Sequence, residues 1–263
     1  MNFPLHAFAV GLALLAGLST APTHAEEARD AEAIMKRVLA RGTFGWDGAR
    51  TDVRMILEDG SGKSEQRRMR ILGQRRGNRL ETLVRFTSPA EVKGMAFLMR
   101  RTAEGRSEQH VFLPRLGRTR RISGREREGS FMGSDFSYAD LEQRYLAGAT
   151  HRRLDDDELG SHPMHVIKSI PARGSDAPYS KIQTWIRKSD LVPLRTRFYD
   201  PEGRLLKTLY VRRVKKLAGH PVVMRARMHN HQTSHVTILV VDSVERRKRF
   251  PEGTFTPTAL ERG

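Results

Sequence analysis

The chain has 263 residues, no cysteine, and 47 lysines and arginines against 30 aspartates and glutamates, a formal net charge of +17. The absence of cysteine excludes disulfides, thiol nucleophiles and the cysteine-linked anchor of bacterial lipoproteins. A positive surplus this large indicates an anionic membrane, an acidic protein or nucleic acid as partner, unless it reflects only the high arginine usage of a GC-rich genome.

The first 25 residues predict a cleavable signal peptide. Phe8–Leu18 is an apolar run as long as a signal-peptide core and too short to span a bilayer, and small residues precede a cleavage point after Ala25. Residues 1–25 carry no Lys, Arg, Asp or Glu, so the whole charge surplus belongs to residues 26–263, which we expect to form one domain. A buried N-terminal helix is the alternative. Because we expect export to the periplasm, we expect no nucleic-acid partner.

The first element after this segment is predicted to be a helix. Asp30 is a suitable N-cap, Ile34, Met35 and Val38 recur at helical spacing, and Gly42 ends the pattern. One stripe of this helix is therefore expected to pack against the rest of the domain.

From Thr51 onward the apolar residues alternate with polar ones, which is typical of strands with one buried face. The predicted strands of the first half cover residues 51–57, 66–74, 79–86, 95–99, 110–113 and 119–122. Those of the second half cover residues 146–153, 163–170, 179–188, 192–199, 204–215, 221–231 and 234–242. A helical turn is expected near residues 138–144. Short sequential hairpins with few helices predict a mainly β (α+β) antiparallel meander, whose uncovered apolar face is a candidate cavity.

No catalytic motif is present. The sequence has no Gly-x-Ser-x-Gly elbow, no phosphate-binding glycine loop and no His-Glu-x-x-His pair. We therefore expect neither enzymatic activity nor a cofactor.

Three histidines form the best metal-like cluster. His229 and His231 would share one face of a strand, and His235 would return beside them across a turn. Arg225 and Arg227 lie on the same predicted face and disfavour a cation, so a solvated polar face is the preferred interpretation and no metal is expected.

Two acidic groups have simple structural interpretations. Residues 155–158 form an acidic run without the glycine and distal glutamate of a calcium loop, so we interpret it as a solvated turn. Asp135 and Asp140 are candidate paired carboxylates, but Ser137 followed three residues later by Asp140 favours a helix N-cap and its partner.

Two stretches resemble a known family. They are VRFTSP (84–89) with VKGMAFL (92–98), and VFLPRLGR (111–118) continuing to GSFMGSDFSYADL (129–141). Together they resemble the outer-membrane lipoprotein-sorting proteins of the LolA/LolB-like superfamily, most closely a subgroup associated with resistance-nodulation-division exporters. The resemblance implies a single strongly bent antiparallel sheet, an incomplete β-barrel covered by helices, with a hydrophobic cavity for acyl chains.

The resemblance also implies candidate site residues. The predicted cavity lining is Met95, Phe97, Met99, Phe112, Phe131, Met132, Phe136 and Trp185, with an ordinary packed core as the alternative for each. The predicted headgroup or partner contacts are Arg115, Arg118, Arg120, Arg121 and Arg125, with a solvated loop as the alternative.

Two functions follow as hypotheses. The first is a periplasmic carrier that binds lipid or lipoprotein acyl chains, contacts the membrane peripherally and delivers to an outer-membrane acceptor. The second is a non-catalytic accessory or sensor protein that docks on a membrane transporter. A hydrolase of cell-envelope material is a weaker third hypothesis, because the sequence has no catalytic set.

Overall fold

The computed structural model describes residues 24–40, 48–77, 79–101, 107–175 and 177–262. The strands are β1 (Gly48–Glu58), β2 (Ser64–Arg76), β3 (Arg79–Ser88), β4 (Ala96–Arg101), β5 (Ser107–Leu113), β6 (Arg118–Ile122), β7 (Thr150–Leu159), β8 (His162–Ile170), β9 (Lys181–Arg187), β10 (Pro193–Tyr199), β11 (Leu205–Leu217), β12 (His220–Asn230) and β13 (Val236–Arg246). The helices in these ranges are α1 (His24–Ala40), α2 (Tyr138–Glu142), α3 (Arg144–Ala147) and α4 (Pro257–Glu261).

All these strands belong to one antiparallel sheet. Their order is β6-β5-β4-β3-β2-β1-β13-β12-β11-β10-β9-β8-β7. The first and last strands of the chain therefore pair at the middle of the sheet, while β6 and β7 are its two edges among the described strands. The predicted mainly β antiparallel fold is confirmed, and the sheet is open rather than closed.

This strand order requires one long connection. The chain leaves the sheet at the β6 edge and re-enters it at the opposite β7 edge, so residues 123–149 must cross the sheet. We call residues 123–149 the crossing segment. It contains the short helices α2 and α3 and a capping box between Ser137 and Asp140, which confirms the predicted cap.

The two faces of the sheet follow from the strand period of two. On β1, Val53, Met55 and Leu57 are buried beneath the crossing segment, while Arg54 points to the other side and pairs with Asp242 of β13. We call the face that carries Met55 the inner face and the face that carries Arg54 the outer face.

Two apolar cores lie on the inner face. The first inner core combines β1–β6 with Phe131, Met132 and Tyr138 of the crossing segment. The second inner core combines α1 and α3 with β8–β12, and the partly buried ring of Phe136 packs against both cores. The predicted helical stripe of α1 is buried here through Ala31, Ile34 and Met35.

Residues 250–262 lie on part of the outer face, and we call them the C-terminal cover. Phe255 and Leu260 pack with Leu83 and Leu98 of β3 and β4. Arg85 fixes this segment, since its guanidinium donates hydrogen bonds to the carbonyls of Ala259, Leu260 and Arg262 at 2.8, 3.1 and 2.9 Å. Cations at a helix C-terminus satisfy carbonyls that have no intrahelical partner. The outer face of β9–β13 lies beyond this cover.

Three local predictions were wrong. The acidic run 155–158 is part of β7, not a turn, because a register shift between Leu154 and Asp157 keeps the strand paired and its carboxylates bind Arg153, Lys188 and Trp185. Residues 146–149 precede β7 instead of beginning it. Helix α1 starts at His24, so Asp30 lies inside the helix and is not its N-cap. The C-terminal helix α4 was not predicted.

Some predictions fall outside the described residues. These are most of the predicted signal peptide, residues 1–23, and the predicted helix stop at Gly42. Within the described ranges, no helix combines the length and the apolar composition needed to cross a bilayer.

Candidate functional site

The first inner core contains most of the predicted cavity lining. Phe97, Met99, Phe131 and Met132 are buried in it, and Met95 and Phe136 pack against its edge. The rings of Phe97 and Phe131 meet edge to face with centroids 5.3 Å apart, and the Tyr138 ring lies 5.6 and 5.7 Å from them. These six predicted residues therefore lie together, between the sheet and the crossing segment.

The other two predicted lining residues lie elsewhere. Phe112 faces the outer side, where it packs against the C-terminal cover. Trp185 also faces the outer side, packed with Met164 and Val166 and stacked under the Arg195 guanidinium at 3.8 Å. Alternation along a strand fixes which residues share a face but not which face is inside, so the sequence pattern could not separate Phe112 from Phe97.

The interior is filled by the protein's own side chains in this structure. Phe97 and Phe131 are 1% and 3% exposed, because the crossing segment lies directly on them. Two hollows on the described surface are lined by basic residues and lie outside this core, one at Arg75 and Lys248 and the other at Arg212 and Arg225. An acyl chain could enter the first inner core only if the crossing segment moved.

Asp140 ties the crossing segment to the second half of the sheet. One carboxylate oxygen accepts hydrogen bonds from the hydroxyls of Tyr145 and Tyr179 at 3.2 and 2.6 Å. The other accepts from the Ser137 amide at 2.8 Å and from the Lys207 ammonium at 2.6 Å. We call these five residues the Asp140 cluster. It joins the crossing segment to β11 and to the stretch before β9.

The Asp140 cluster is buried and its groups are satisfied. The Asp140 and Lys207 side chains are 6% and 5% exposed, so their charges are removed from water and depend on each other. Burial, and then the Asp140 charge, raise the pKa of Tyr145 and of Tyr179 well above the usual value. Both tyrosines are therefore protonated donors at neutral pH, and the cluster holds the segment in place rather than facing solvent.

A second anchor joins the same segment to β13. The Asp135 carboxylate accepts hydrogen bonds from the Thr237 hydroxyl at 2.7 Å and from His235 Nδ1 at 2.8 Å. The Asp135 amide donates to the Thr237 hydroxyl at 2.9 Å, and the Asp135 carbonyl accepts from Lys207 at 2.8 Å. Asp135 and Asp140, weighed as paired carboxylates in the sequence, are thus two separate anchors joined through Lys207.

The far end of the segment has a third set of polar contacts. Gln109 of β5 donates to the Tyr138 carbonyl at 3.1 Å and to the Glu142 carboxylate at 3.2 Å, and Arg101 donates to the Glu142 carbonyl at 2.9 Å. These anchors could not be predicted from sequence periodicity, because each one pairs residues far apart in the chain. The one feature of the sequence that indicated them was the concentration of Ser and Asp in the GSDFSYAD stretch.

The predicted headgroup arginines lie at the β6 edge. Arg115 is in the turn between β5 and β6, Arg118, Arg120 and Arg121 are on β6, and Arg125 follows it. All five are exposed, and among the described residues only Arg120 of this group has an ion pair, with Glu126. Leu116 lies between them and is 57% exposed.

The three histidines do not converge. The His229 and His231 rings are 4.3 Å apart, but His231 binds the Thr208 hydroxyl and His235 binds Asp135. His235 thus has a carboxylate partner that His229 and His231 do not share. Burial lowers the pKa of His229 and His231, and the Arg227 charge adds to this. Over the described ranges, no group of three His, Cys, Asp or Glu side chains is arranged to hold a metal ion.

Comparison with known proteins places this geometry in a family. A family model described as an uncharacterised protein matches residues 78–262. A crystal structure from Vibrio parahaemolyticus, assigned as an outer-membrane lipoprotein-sorting protein domain, is 30% identical with a TM-score of 0.80, over 89% of this chain and 99% of that one. No curated protein sequence matches the chain.

Two further structures share the fold. A DUF1329 family protein from Desulfovibrio piger is 24% identical with a TM-score of 0.81, over 89% of this chain and 99% of that one. A LolA superfamily protein from Nitrosomonas europaea is 21% identical with a TM-score of 0.68, over 86% and 97%. With its open antiparallel sheet and its match to the Vibrio domain, the chain belongs to the outer-membrane lipoprotein-sorting protein family.

Proposed function

We propose that this protein is a non-catalytic periplasmic carrier that binds acyl chains of lipids or lipoproteins in the first inner core. The observation that carries the proposal is the crossing segment: it covers a methionine- and phenylalanine-rich apolar core, yet it is held at its Asp135 and Asp140 anchors by polar side chains. Methionine side chains adapt to varied apolar ligands. The fold shared with the lipoprotein-sorting structure supports the same function.

In this proposal the acyl chain replaces the crossing segment on the sheet. Each buried methylene contributes about 0.8 kcal/mol, so a chain of a dozen carbons gains about 10 kcal/mol. That gain must offset the loss of the contacts of Phe131, Met132 and Tyr138 with the sheet. Delivery then needs an acceptor that holds the acyl chain more tightly.

The exposed arginines at the β6 edge would contact the anionic headgroup. They lie next to the first inner core, since Ile122 at the end of β6 is buried in it. Guanidinium groups bind phosphate oxygens in a bidentate manner.

The test is fatty-acid binding by two matched phenylalanine variants. Phe97→Ala removes a ring of β4 from the sheet side of the first inner core, which the acyl chain would contact, and Phe112→Ala removes a ring from the outer face. We expect the first to weaken binding of a fluorescent fatty acid at least tenfold and the second to leave it unchanged. Native mass spectrometry with lipid extraction from the periplasm would identify the natural cargo.

A measurement on the unaltered protein separates binding from folding defects. The Phe131 amide donates to the Phe136 carbonyl at 2.7 Å within the crossing segment. Ligands usually slow amide exchange, but a ligand that displaces this segment should speed exchange in residues 129–141. Slower exchange there, or no uptake of fatty acid at all, would contradict the carrier proposal.

The packed interior favours one second candidate. Because Phe97 and Phe131 are almost fully buried without ligand, the same fold could serve as an accessory or sensor protein docking on a membrane transporter. Protein that stays free of lipid but co-purifies with a transporter of the resistance-nodulation-division class would favour this function over the carrier.

A further inference from the structure

The outer face of β10–β12 carries a cluster of arginines that none of the preceding functions uses. The C-terminal cover lies on β3 and β4 and leaves this region uncovered. We call the cluster the arginine face; its members are Arg195, Arg197, Arg212, Arg213, Arg225 and Arg227. It is separate from the arginines at the β6 edge, which lie across the sheet.

Strand register places these cations side by side. Arg213 of β11 lies directly opposite Arg225 of β12, and Arg227 lies opposite Tyr210 of β11 and Ile238 of β13. Like charges directly opposite on a sheet destabilise it. The arrangement is therefore unfavourable unless an anion neutralises it.

The protein itself supplies little neutralisation. Within the described part of the chain, Arg195 is the one member with an ion pair, to Asp157 at 3.2 Å. Arg197 lies over the Trp185 ring at 5.1 Å and Arg212 over the Tyr210 ring at 4.7 Å, contacts that orient the guanidinium without cancelling its charge.

Four of the arginines surround a hollow. Arg212, Arg213, Arg225 and Arg227 line a depression of about 440 Å³ with Ile238 beside them. Guanidinium groups match phosphate geometry through paired N–H donors, and a group of four can bind several phosphates at once.

The apolar residues beneath the arginine face argue against a protein partner. The centre of a protein interface is depleted of charge and uses exposed aromatic anchors. Here Trp185 and Ile238 are only 4% and 8% exposed, so the surface presents charge rather than apolar side chains. A broad cationic sheet face fits a phosphate-bearing lipid surface better.

We propose that the arginine face is a docking surface for an anionic phospholipid membrane. It would hold the outer face of β11 and β12 against the headgroups, whether or not the inner core contains an acyl chain. The inference does not depend on the carrier function, because it concerns the opposite face of the sheet.

The experiment measures partition onto vesicles of phosphatidylcholine with and without phosphatidylglycerol. The test variant is Arg213→Gln/Arg225→Gln/Arg227→Gln. A cation near an anionic membrane contributes about fivefold to binding, so roughly 100-fold weaker partition is expected for the three together. Added salt should weaken binding of the unaltered protein in the same direction.

Two matched variants remove the same charge elsewhere. Arg75→Gln/Arg76→Gln/Lys248→Gln alters the other basic hollow, and Arg115→Gln/Arg118→Gln/Arg121→Gln alters the β6 edge. Both are expected to weaken partition less than tenfold. Equal losses in all three variants would mean that net charge alone drives binding. A larger loss in the β6-edge variant would mean that the β6 edge is the docking surface. Either result overturns the proposal, as does failure of the unaltered protein to prefer anionic vesicles.

Folding and carrier activity are checked on the same proteins. Because Arg213 no longer opposes Arg225, the test variant should unfold at the same or a higher temperature than the unaltered protein. Its fatty-acid binding should be unchanged, so loss of membrane docking and loss of acyl binding are separate outcomes.

Discussion

At the scale of single residues, the central feature is the buried pair of Lys207 and Asp140. Removing one partner of a buried ion pair leaves an unpaired charge and typically costs 3–5 kcal/mol, whereas exposed pairs contribute less than about 1 kcal/mol. The chain contains both kinds. Lys188 pairs with Asp156 at the surface, where the two side chains are 36% and 41% exposed.

We predict that Lys207→Met lowers the free energy of unfolding by about 3–5 kcal/mol, because Asp140 and its tyrosine donors remain buried without their cation. Lys188→Met is the control and should lower it by less than about 1 kcal/mol. Urea denaturation followed by circular dichroism measures both. Equal effects would mean that Lys207 does not hold the crossing segment.

The tyrosines of the Asp140 cluster predict an alkaline limit of stability. Their pKa is raised in the folded protein, so unfolding releases protons once the pH exceeds about 10, the ordinary value for tyrosine. Their contribution is present below pH 10 and is lost as the pH rises above it. In Tyr145→Phe, the loss of stability between pH 9 and about 11 should be smaller than in the unaltered protein, measured by urea denaturation at each pH. An unchanged slope would contradict the assignment.

At the scale of elements, the C-terminal cover is the part whose packing the sequence did not indicate. Leu260 is fully buried against β3 and β4, while Leu116 in the turn before β6 is 57% exposed. These two leucines are chemically identical and differ mainly in burial. Replacing each by alanine therefore compares a position buried in the C-terminal cover with an exposed one.

We expect Leu260→Ala to lower the free energy of unfolding by about 2–4 kcal/mol, because it leaves a cavity under α4. Leu116→Ala should change it by less than about 0.5 kcal/mol. Thermal and urea unfolding measure both variants. A loss below 1 kcal/mol for Leu260→Ala would mean that the cover contributes little to the folded state.

The strand pattern was predictable from the sequence because it depends only on neighbouring residues. Val53, Met55 and Leu57 occupy every second position of β1. The Asp59 carboxylate shapes the following turn by accepting hydrogen bonds from the Ser61 and Lys63 amides. The choice of face was not predictable, as Phe112 and Trp185 demonstrate. The extent of β7 was missed because its carboxylates are neutralised by Arg153 and Lys188, which come from outside the acidic run.

The site was predictable only where it consists of local motifs. The Ser137–Asp140 capping box could be deduced from spacing, and Phe131 and Met132 stand in the stretch that identified the family. The partners of Asp140 and Asp135 are Lys207 and Thr237, 67 and 102 residues away. Such pairs follow from the strand order, which the alternation of residues does not encode.

At the scale of the whole molecule, the two halves of the sheet, β1–β6 and β7–β13, are joined both by backbone pairing and by side-chain packing. The β1–β13 pairing joins their backbones, and the Phe136 ring packs against both inner cores. Both inner cores include residues of the crossing segment. The molecule should therefore unfold as one unit.

We predict that Trp185 fluorescence and far-ultraviolet circular dichroism report the same urea midpoint. Trp46→Phe, at a position outside the described residues, leaves Trp185 in β9 as the sole tryptophan reporter of the second half. Two separate midpoints would mean that the halves unfold independently.

The pairing of β1 with β13 also has a consequence for the time course of folding. Ala49 lies opposite Arg246, so the middle of the sheet joins positions almost 200 residues apart in the chain. Closing such a loop is entropically costly and slows folding. The sheet cannot be completed until nearly the entire chain has emerged, whether from the ribosome or from a secretion channel. Until then β1 has an unpaired edge, and a nascent chain of this protein is a natural client for chaperones that shield exposed strands.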